Sequence, residues 1–113
     1  MKLKNLIFLL LLTPLSLASP TLAENAAHVN QLMATRRCHD CNLSGIRLTG
    51  ASLERAFLRR ANFRSAILSG AVLKNADLAY ADLRETDLRK ADLSQADLWG
   101  ADLINANLEG ANL

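Results

Sequence analysis

The sequence predicts an all-β fold, a parallel β-helix of square cross-section preceded by a short helix. A leucine stands at every fifth place from Leu43 to Leu113, and Phe63 is the single exception. Alanine usually stands two residues before it, with Asp or Asn at most of the places between. Residues two apart in an extended segment point to the same side, so Ala and Leu face inward and Asp or Asn faces outward.

The other two residues of each five-residue unit are polar, small or Gly, as a turn requires. Four such corners close a coil of twenty residues, so residues 41–113 make about 3.7 coils that stack ~4.8 Å apart. An α-helix does not fit, because residues five apart would be separated by about 140° and the leucines would scatter. Leucine-rich repeats have longer units with another pattern.

The units ADLAY, ADLRE, ADLSQ, ADLWG, ADLIN and ANLEG resemble the pentapeptide repeat family. Fifteen consecutive units over residues 41–113 carry this resemblance. It implies a right-handed quadrilateral β-helix, with the central Leu or Phe and the residue two before it directed into the shaft. The family motif is structural, so the resemblance implies no catalytic residue and no enzymatic activity.

The stacking of coils also predicts contacts inside and outside the shaft. Thr86 takes the place of an inward Ala, and we expect its hydroxyl to bond to nearby backbone. Glu54 with Lys74 and Arg89 with Glu109 are expected to form ion pairs between coils. The predicted shaft core consists of Leu48, Leu53, Leu58, Phe63, Leu68, Leu73, Leu78, Leu83, Leu88, Leu93, Leu98 and Leu103.

Residues 1–23 have the pattern of an export signal. Lys2 and Lys4 precede an apolar run, and small residues lead to a cleavage point after Ala23. A cut after Ala18 and an uncleaved membrane anchor are the alternatives. The apolar run is shorter than the about 20 residues that span a bilayer, which favours a cleaved signal.

Residues 24–40 are predicted to form an N-terminal helical cap and the first corner, before the repeats of residues 41–113. The helix is expected over residues 24–36. Its docking side is predicted to consist of Val29, Leu32, Met33 and Arg36. The C-terminal coil has no predicted cover, and open backbone groups invite pairing, so an end-to-end homodimer through that coil is expected.

Cys38-His39-Asp40-Cys41 is the one cluster that resembles a chemical site. A structural disulfide fits the oxidising conditions that exported proteins meet, while free packed thiols remain an alternative. Haem attachment would need His where Asn42 stands. A redox or metal role stays open, although a βαβ context and a second ligand pair are missing. Exported members of the family begin their repeats with a similar C-x-x-C, which implies a capping role.

Pattern-breaking residues gather on one face of the predicted square. A twenty-residue period places Phe57, Tyr80 and Trp99 together, with Arg59 and Arg60 beside them. Exposed Trp and Tyr flanked by Arg is a composition typical of contact surfaces, and simple scatter is the alternative. The regular outward Asp and Asn are expected to support turns, not acid–base chemistry.

Composition argues against nucleic-acid binding. Without Lys2 and Lys4, eleven Lys and Arg balance eleven Asp and Glu. Residues 36–64 hold seven Arg and two acids, whereas residues 74–113 hold four basic and eight acidic residues. Such a chain is polar from end to end and has no uniformly basic surface for nucleic acid.

The leading hypothesis is a non-enzymatic exported solenoid, an interaction module or spacer for an unknown protein partner. It needs no cofactor or metal and makes no membrane contact after signal cleavage. The alternative is a redox or metal role through Cys38 and Cys41. Some family members mimic DNA and bind topoisomerase, but this rod is short and its mature charge is zero. Exported members of the family that these repeats resemble imply a bacterial periplasm or, in a cyanobacterium, the thylakoid lumen.

Overall fold

The computed structural model describes residues 20–113, which form one α-helix followed by a solenoid. Helix α1 spans Pro20–Thr35. From Arg37 onward, isolated parallel β-bridges join residues twenty positions apart. The bridged pairs are Arg37–Phe57, Asn42–Asn62, Arg47–Ile67, Ser52–Val72, Phe57–Asp77, Asn62–Asp82, Ile67–Asp87, Val72–Asp92, Asp77–Asp97, Asp82–Asp102, Asp87–Asn107 and Asp92–Asn112. Most of the predicted export signal lies outside the described residues.

Each side of the square is one extended segment that bonds to the next coil. The backbone N–H of Leu58 donates to the carbonyl of Asp77 at 2.8 Å, and Asp77 N–H donates to Ala56 at 2.9 Å. The carbonyl of Leu58 then accepts from Ala61 N–H at 3.0 Å, which closes the turn. This pattern recurs every five residues, so the chain turns through the same corner each time.

The corners have a left-handed backbone conformation. Every fifth residue from Asp40 to Gly110 has φ between 57° and 70°, and ten of these fifteen are not glycine. A non-glycine residue in this region costs about 1–2 kcal/mol. At each corner from Asp40 to Lys90 the backbone N–H still bonds to the coil above, as Arg60 N–H does to Ala79 at 2.9 Å. The bonds between coils therefore offset the strain of the corners.

Leucine fills the shaft through most of its height. The predicted core residues from Leu48 to Leu93 are all buried. Leu98 and Leu103 are only partly buried, because no residue of this sequence lies twenty positions further on to cover them. Thr86 is also buried, and its hydroxyl donates to the carbonyl of Phe63 at 2.9 Å, as expected.

Helix α1 packs against the first coil through fewer residues than the sequence predicts. Leu32 is fully buried, and Val29 packs against the core. Met33, expected on the same side, is 53% exposed, so the side of the helix that packs against the solenoid is narrower than predicted. Arg36 lies outside the helix at φ 55°, where its N–H bonds to the carbonyl of Leu32 at 2.7 Å. This left-handed residue ends α1.

The prediction of two ion pairs between coils is wrong. Neither Glu54 with Lys74 nor Arg89 with Glu109 forms one. Arg89 instead bonds to Asp87 of its own coil, with Nη2 2.7 Å from Oδ2. Asp87 is held by the turn between them, so its carboxylate is already placed for the guanidinium.

Burial along the shaft can be tested with two matched leucines. Leu78→Ala removes a fully buried side chain and should lower the free energy of unfolding by about 3 kcal/mol. Leu103→Ala removes the same atoms from a partly buried place and should cost about 1 kcal/mol. Urea denaturation monitored by circular dichroism gives both values, and equal losses would contradict the described shaft.

Candidate functional site

One side of the solenoid carries most of its exposed aromatic residues. We call the segments 37–40, 57–60, 77–80 and 97–100 together the aromatic face. Bridges from 37 to 57, 57 to 77 and 77 to 97 stack these segments directly over one another. The aromatic face contains all of the predicted interaction residues, which are Phe57, Arg59, Arg60, Tyr80 and Trp99.

Tyr80 and Trp99 form the main aromatic contact of this face. Their ring centroids lie 5.0 Å apart with the planes at 90°, an edge-to-face arrangement. Trp99 is 69% exposed and Tyr80 is 47% exposed. The Tyr80 ring lies against the backbone of Gly100, where an added Cβ would approach Tyr80 Cδ1 to 2.7 Å. The glycine therefore lets the ring lie flat on the next coil.

Phe57 belongs to a second cluster at the other end of the face. The guanidinium carbon of Arg37 stands 4.8 Å from its ring centroid, and the His39 ring lies 6.0 Å away. The sequence grouped Phe57 with the other aromatics, but its ring contacts are with Arg37 and His39. Both residues were missed, although the twenty-residue stacking that placed Phe57 would also have placed them.

Ion pairs link neighbouring segments of the aromatic face. Arg59 Nε lies 3.1 Å from Asp77 Oδ2, and Arg60 Nε lies 2.8 Å from Asp40 Oδ1. The side chains of Arg59, Arg60 and Tyr80 line a shallow recess beside these pairs. All of these groups except the half-buried Asp77 are well exposed, so the face presents charge and aromatic surface to solvent together.

The repeated Asp and Asn support turns, as the sequence predicts. In each of nine units the side-chain oxygen accepts a backbone N–H two residues later, at 3.0–3.2 Å. These residues are Asn42, Asn62, Asp77, Asp82, Asp87, Asp92, Asp97, Asp102 and Asn107.

Three of these carboxyl groups are held ionised by their partners. The Arg84 guanidinium bonds to Asp82 and holds the pKa of that carboxyl below its ordinary value, against partial desolvation. Arg89 lowers the pKa of Asp87 in the same way. The Ser94 hydroxyl and N–H lower the pKa of Asp92. Carboxylates held in this state suit a turn and not proton transfer near neutral pH.

The two cysteines form a disulfide beneath α1. Cys38 and Cys41 are bonded to each other, and they are 0% and 3% exposed. His28 of α1 lies over them, with its Nδ1 accepting the backbone N–H of Asn42 at 2.8 Å. This burial shields both sulfur atoms from a redox partner, and thiol ligation would first require the bond to be reduced. The sequence analysis did not predict this structural role of His28.

Two further features bear on the hypotheses. Among residues 20–113, no three His, Cys, Asp or Glu side chains gather into a group that could hold a metal ion. Over the same residues, α1 lacks the length and apolar character that crossing a bilayer requires.

Comparison with known proteins identifies the family. The model for pentapeptide repeats matches in eight copies over residues 41–79 and 81–113, and the chain belongs to this family. Its solenoid is therefore the right-handed quadrilateral β-helix. No protein with curated annotation matches the chain.

Two solved structures are similar to this chain. A pentapeptide repeat protein of the Arabidopsis thaliana thylakoid lumen is 43% identical, with a TM-score of 0.67 over 72% of this chain and 57% of that one. Another, from the cyanobacterium Cyanothece 51142, is 35% identical, with a TM-score of 0.60 over 78% of this chain and 77% of that one. The chain thus spans little more than half the length of the Arabidopsis protein.

The contact between Tyr80 and Gly100 can be separated from backbone strain. Gly100→Ala should displace the Tyr80 ring and shift the fluorescence of Trp99, the only tryptophan. Gly70→Ala is the matched control, because Gly70 has φ +67° against +68° and nothing within 4 Å of the added Cβ. Both should lose about 1 kcal/mol from the backbone alone. Equal fluorescence in the two variants would rule out the ring contact.

The Asp–Arg pairs predict a loss of stability in acid. The pKa values of Asp82 and Asp87 are lowered in the folded chain, so their contribution is present above the unfolded value of about 3.9. It is lost as pH falls from there through the folded values. The double variant Asp82→Asn/Asp87→Asn should flatten the fall of the urea midpoint between pH about 4 and about 2.

Removing the guanidinium partners instead should likewise flatten the fall of the urea midpoint at acid pH. Arg84→Gln/Arg89→Gln leaves both carboxyl groups in place but removes the main cause of their lowered pKa values. A fall of the midpoint as steep as in the unaltered chain, in both double variants, would contradict this assignment.

Proposed function

We propose that this protein is a non-enzymatic, exported interaction module that binds a protein partner through the aromatic face. The observation that supports this most is the exposed edge-to-face pair of Tyr80 and Trp99, with Arg59 and Arg60 beside it. Trp, Tyr and Arg are the residues that dominate the energy of protein interfaces. The repeat itself does not require aromatic residues at these places, where packing and turns need small or polar ones.

Ile104 and Met33, two other exposed apolar residues, do not form a comparable surface. Ile104 is 62% exposed, but it stands on a different side of the square from Trp99. Met33 is exposed on α1, away from the shaft. Single exposed apolar side chains are ordinary on protein surfaces, whereas a cluster of them indicates contact. The aromatic face is therefore the better candidate.

Helix α1 is proposed to cap the first of about 3.7 coils. Besides burying Leu32, it sends the Asn25 side-chain N–H to the carbonyl of Ser44 at 3.0 Å and that of Gln31 to Arg37 at 2.8 Å. These groups satisfy carbonyls of the first coil that have no coil before them. The cap covers the end of the shaft and leaves its sides available for binding.

An exported location has independent support from three features. Residues 1–23 have the composition of a cleavable signal. The buried disulfide is typical of oxidising compartments. A protein 43% identical to this chain comes from a thylakoid lumen. We propose a bacterial periplasm or a cyanobacterial thylakoid lumen as the site of action.

Affinity capture from the exported compartment tests this function. Tyr80→Ser/Trp99→Ser removes the aromatic pair without touching the core and should abolish capture of a protein that the unaltered chain retains. Ile104→Ser is the matched control, since it removes an equally exposed apolar side chain from another side and should leave capture intact. Normal capture by the double variant would exclude this face.

A further inference from the structure

We propose that the aromatic face also pairs with the same face of a second copy, in antiparallel orientation, to form a side-by-side homodimer. This inference rests on the proposed use of that face for binding and names one partner for it. The argument comes from the order of charges and side-chain sizes along the face.

The charges at the two ends of the face are unpaired and opposite. Arg59 and Asp77 of the two middle segments neutralise each other, and Arg60 neutralises Asp40 of the first segment. Arg37 and Asp97 make no ion pair with any described residue. Both lie in one column, three steps of ~4.8 Å apart, with Arg37 at the first coil and Asp97 at the fourth. A second copy turned end for end would bring Asp97 to Arg37 twice.

A twofold axis that crosses the face between segments 57–60 and 77–80 makes most of the remaining pairs complementary as well. It keeps each column opposite itself and reverses the order of the coils. The resulting pairs between copies are Arg37 with Asp97, Phe57 with Asp77, Arg60 with Tyr80, His39 with Trp99, Arg59 with Ala79, and Asp40 with Gly100. Arg37 meets a carboxylate, Arg60 and His39 meet aromatic rings, and Arg59 and Asp40 meet small residues. Phe57 faces Asp77, whose charge is already neutralised by Arg59.

The parallel orientation lacks this complementarity. A twofold axis along the shaft would keep each coil level with itself, so Arg37 of the first coil could not reach Asp97 of the fourth, and both charges would stay unpaired. The whole chain favours the antiparallel order too, because residues 36–64 are basic and residues 74–113 are acidic.

The size of the aromatic face limits the expected affinity of the dimer. Its four segments span about 14 Å along the shaft, which is small beside a standard interface. We therefore expect a reversible dimer with a dissociation constant in the range of about 10–100 µM, weakened by salt because the end charges are exposed.

Charge reversal provides the test. Analytical ultracentrifugation of the exported chain from about 5 to about 500 µM should show a monomer–dimer equilibrium. Arg37→Asp alone and Asp97→Arg alone should each weaken dimerisation more than about tenfold, since each places like charges opposite one another twice. Arg47→Asp is the control, because Arg47 is an exposed arginine on the opposite side of the square and its loss should leave the dimer unchanged.

Mixing the two single variants gives the decisive result. A copy with Arg37→Asp and a copy with Asp97→Arg are complementary at both ends, so an equimolar mixture should form a heterodimer about as tight as the unaltered dimer. Recovery on mixing also shows that both variants are folded. The double variant Arg37→Asp/Asp97→Arg should dimerise by itself for the same reason.

Other outcomes overturn the inference. A monomer over the whole concentration range, or a dimer indifferent to both single variants, excludes the antiparallel pairing. Weakened single variants that do not recover on mixing exclude it too. The proposed function is judged separately, by capture. If the chain is monomeric but its capture of a partner depends on Tyr80 and Trp99, the proposed function stands and the pairing is excluded. If the chain dimerises but captures its partner without these two side chains, the pairing stands and the proposed function is excluded.

Discussion

The structure depends on backbone hydrogen bonds between successive coils. Each corner holds a residue in the left-handed region, and most of these residues are not glycine. A single coil could not hold such corners, because nothing within it offsets their strain. Stacking pairs the corner N–H and the side of the square with the coil above, so each coil is stable only beside its neighbours. The apolar shaft follows from this, since the stacked segments point Ala and Leu to the same interior.

The same geometry separates structural residues from those free to vary. The inward places are committed to packing, and the Asp or Asn before each leucine is committed to the turn. Regular acidic residues on a surface suggest catalysis or metal binding, but here their oxygens already accept backbone N–H groups. The corner residues and the outward places where the pattern breaks are not committed in this way. Tyr80 and Trp99 are corner residues of this kind, stacked rigidly one coil apart.

The first coil needs a different solution, because no coil precedes it. Helix α1 supplies polar side chains to its carbonyls and N–H groups, and Leu32 is buried against the core. The disulfide links residues on either side of the first corner, where the backbone can bond only to the coil that follows. Chemically reactive residue types, His28 and the two cysteines, thus make structural contacts at this end of the solenoid. A sequence motif that resembles a redox site has a structural use when burial and backbone bonding already occupy its atoms.

The sequence by itself determined the solenoid, its register, its core through Leu93 and the face that carries Tyr80 and Trp99. A period of five allows one arrangement of inward leucines, and addition of twenty gives every stacked neighbour. Only the tertiary structure decided which side chains meet. It turned Arg89 to Asp87, left Met33 exposed, placed His28 against Asn42, and set Arg37 over Phe57. Long side chains choose among several neighbours by local geometry, and where a helix docks depends on shape; neither is encoded in a period.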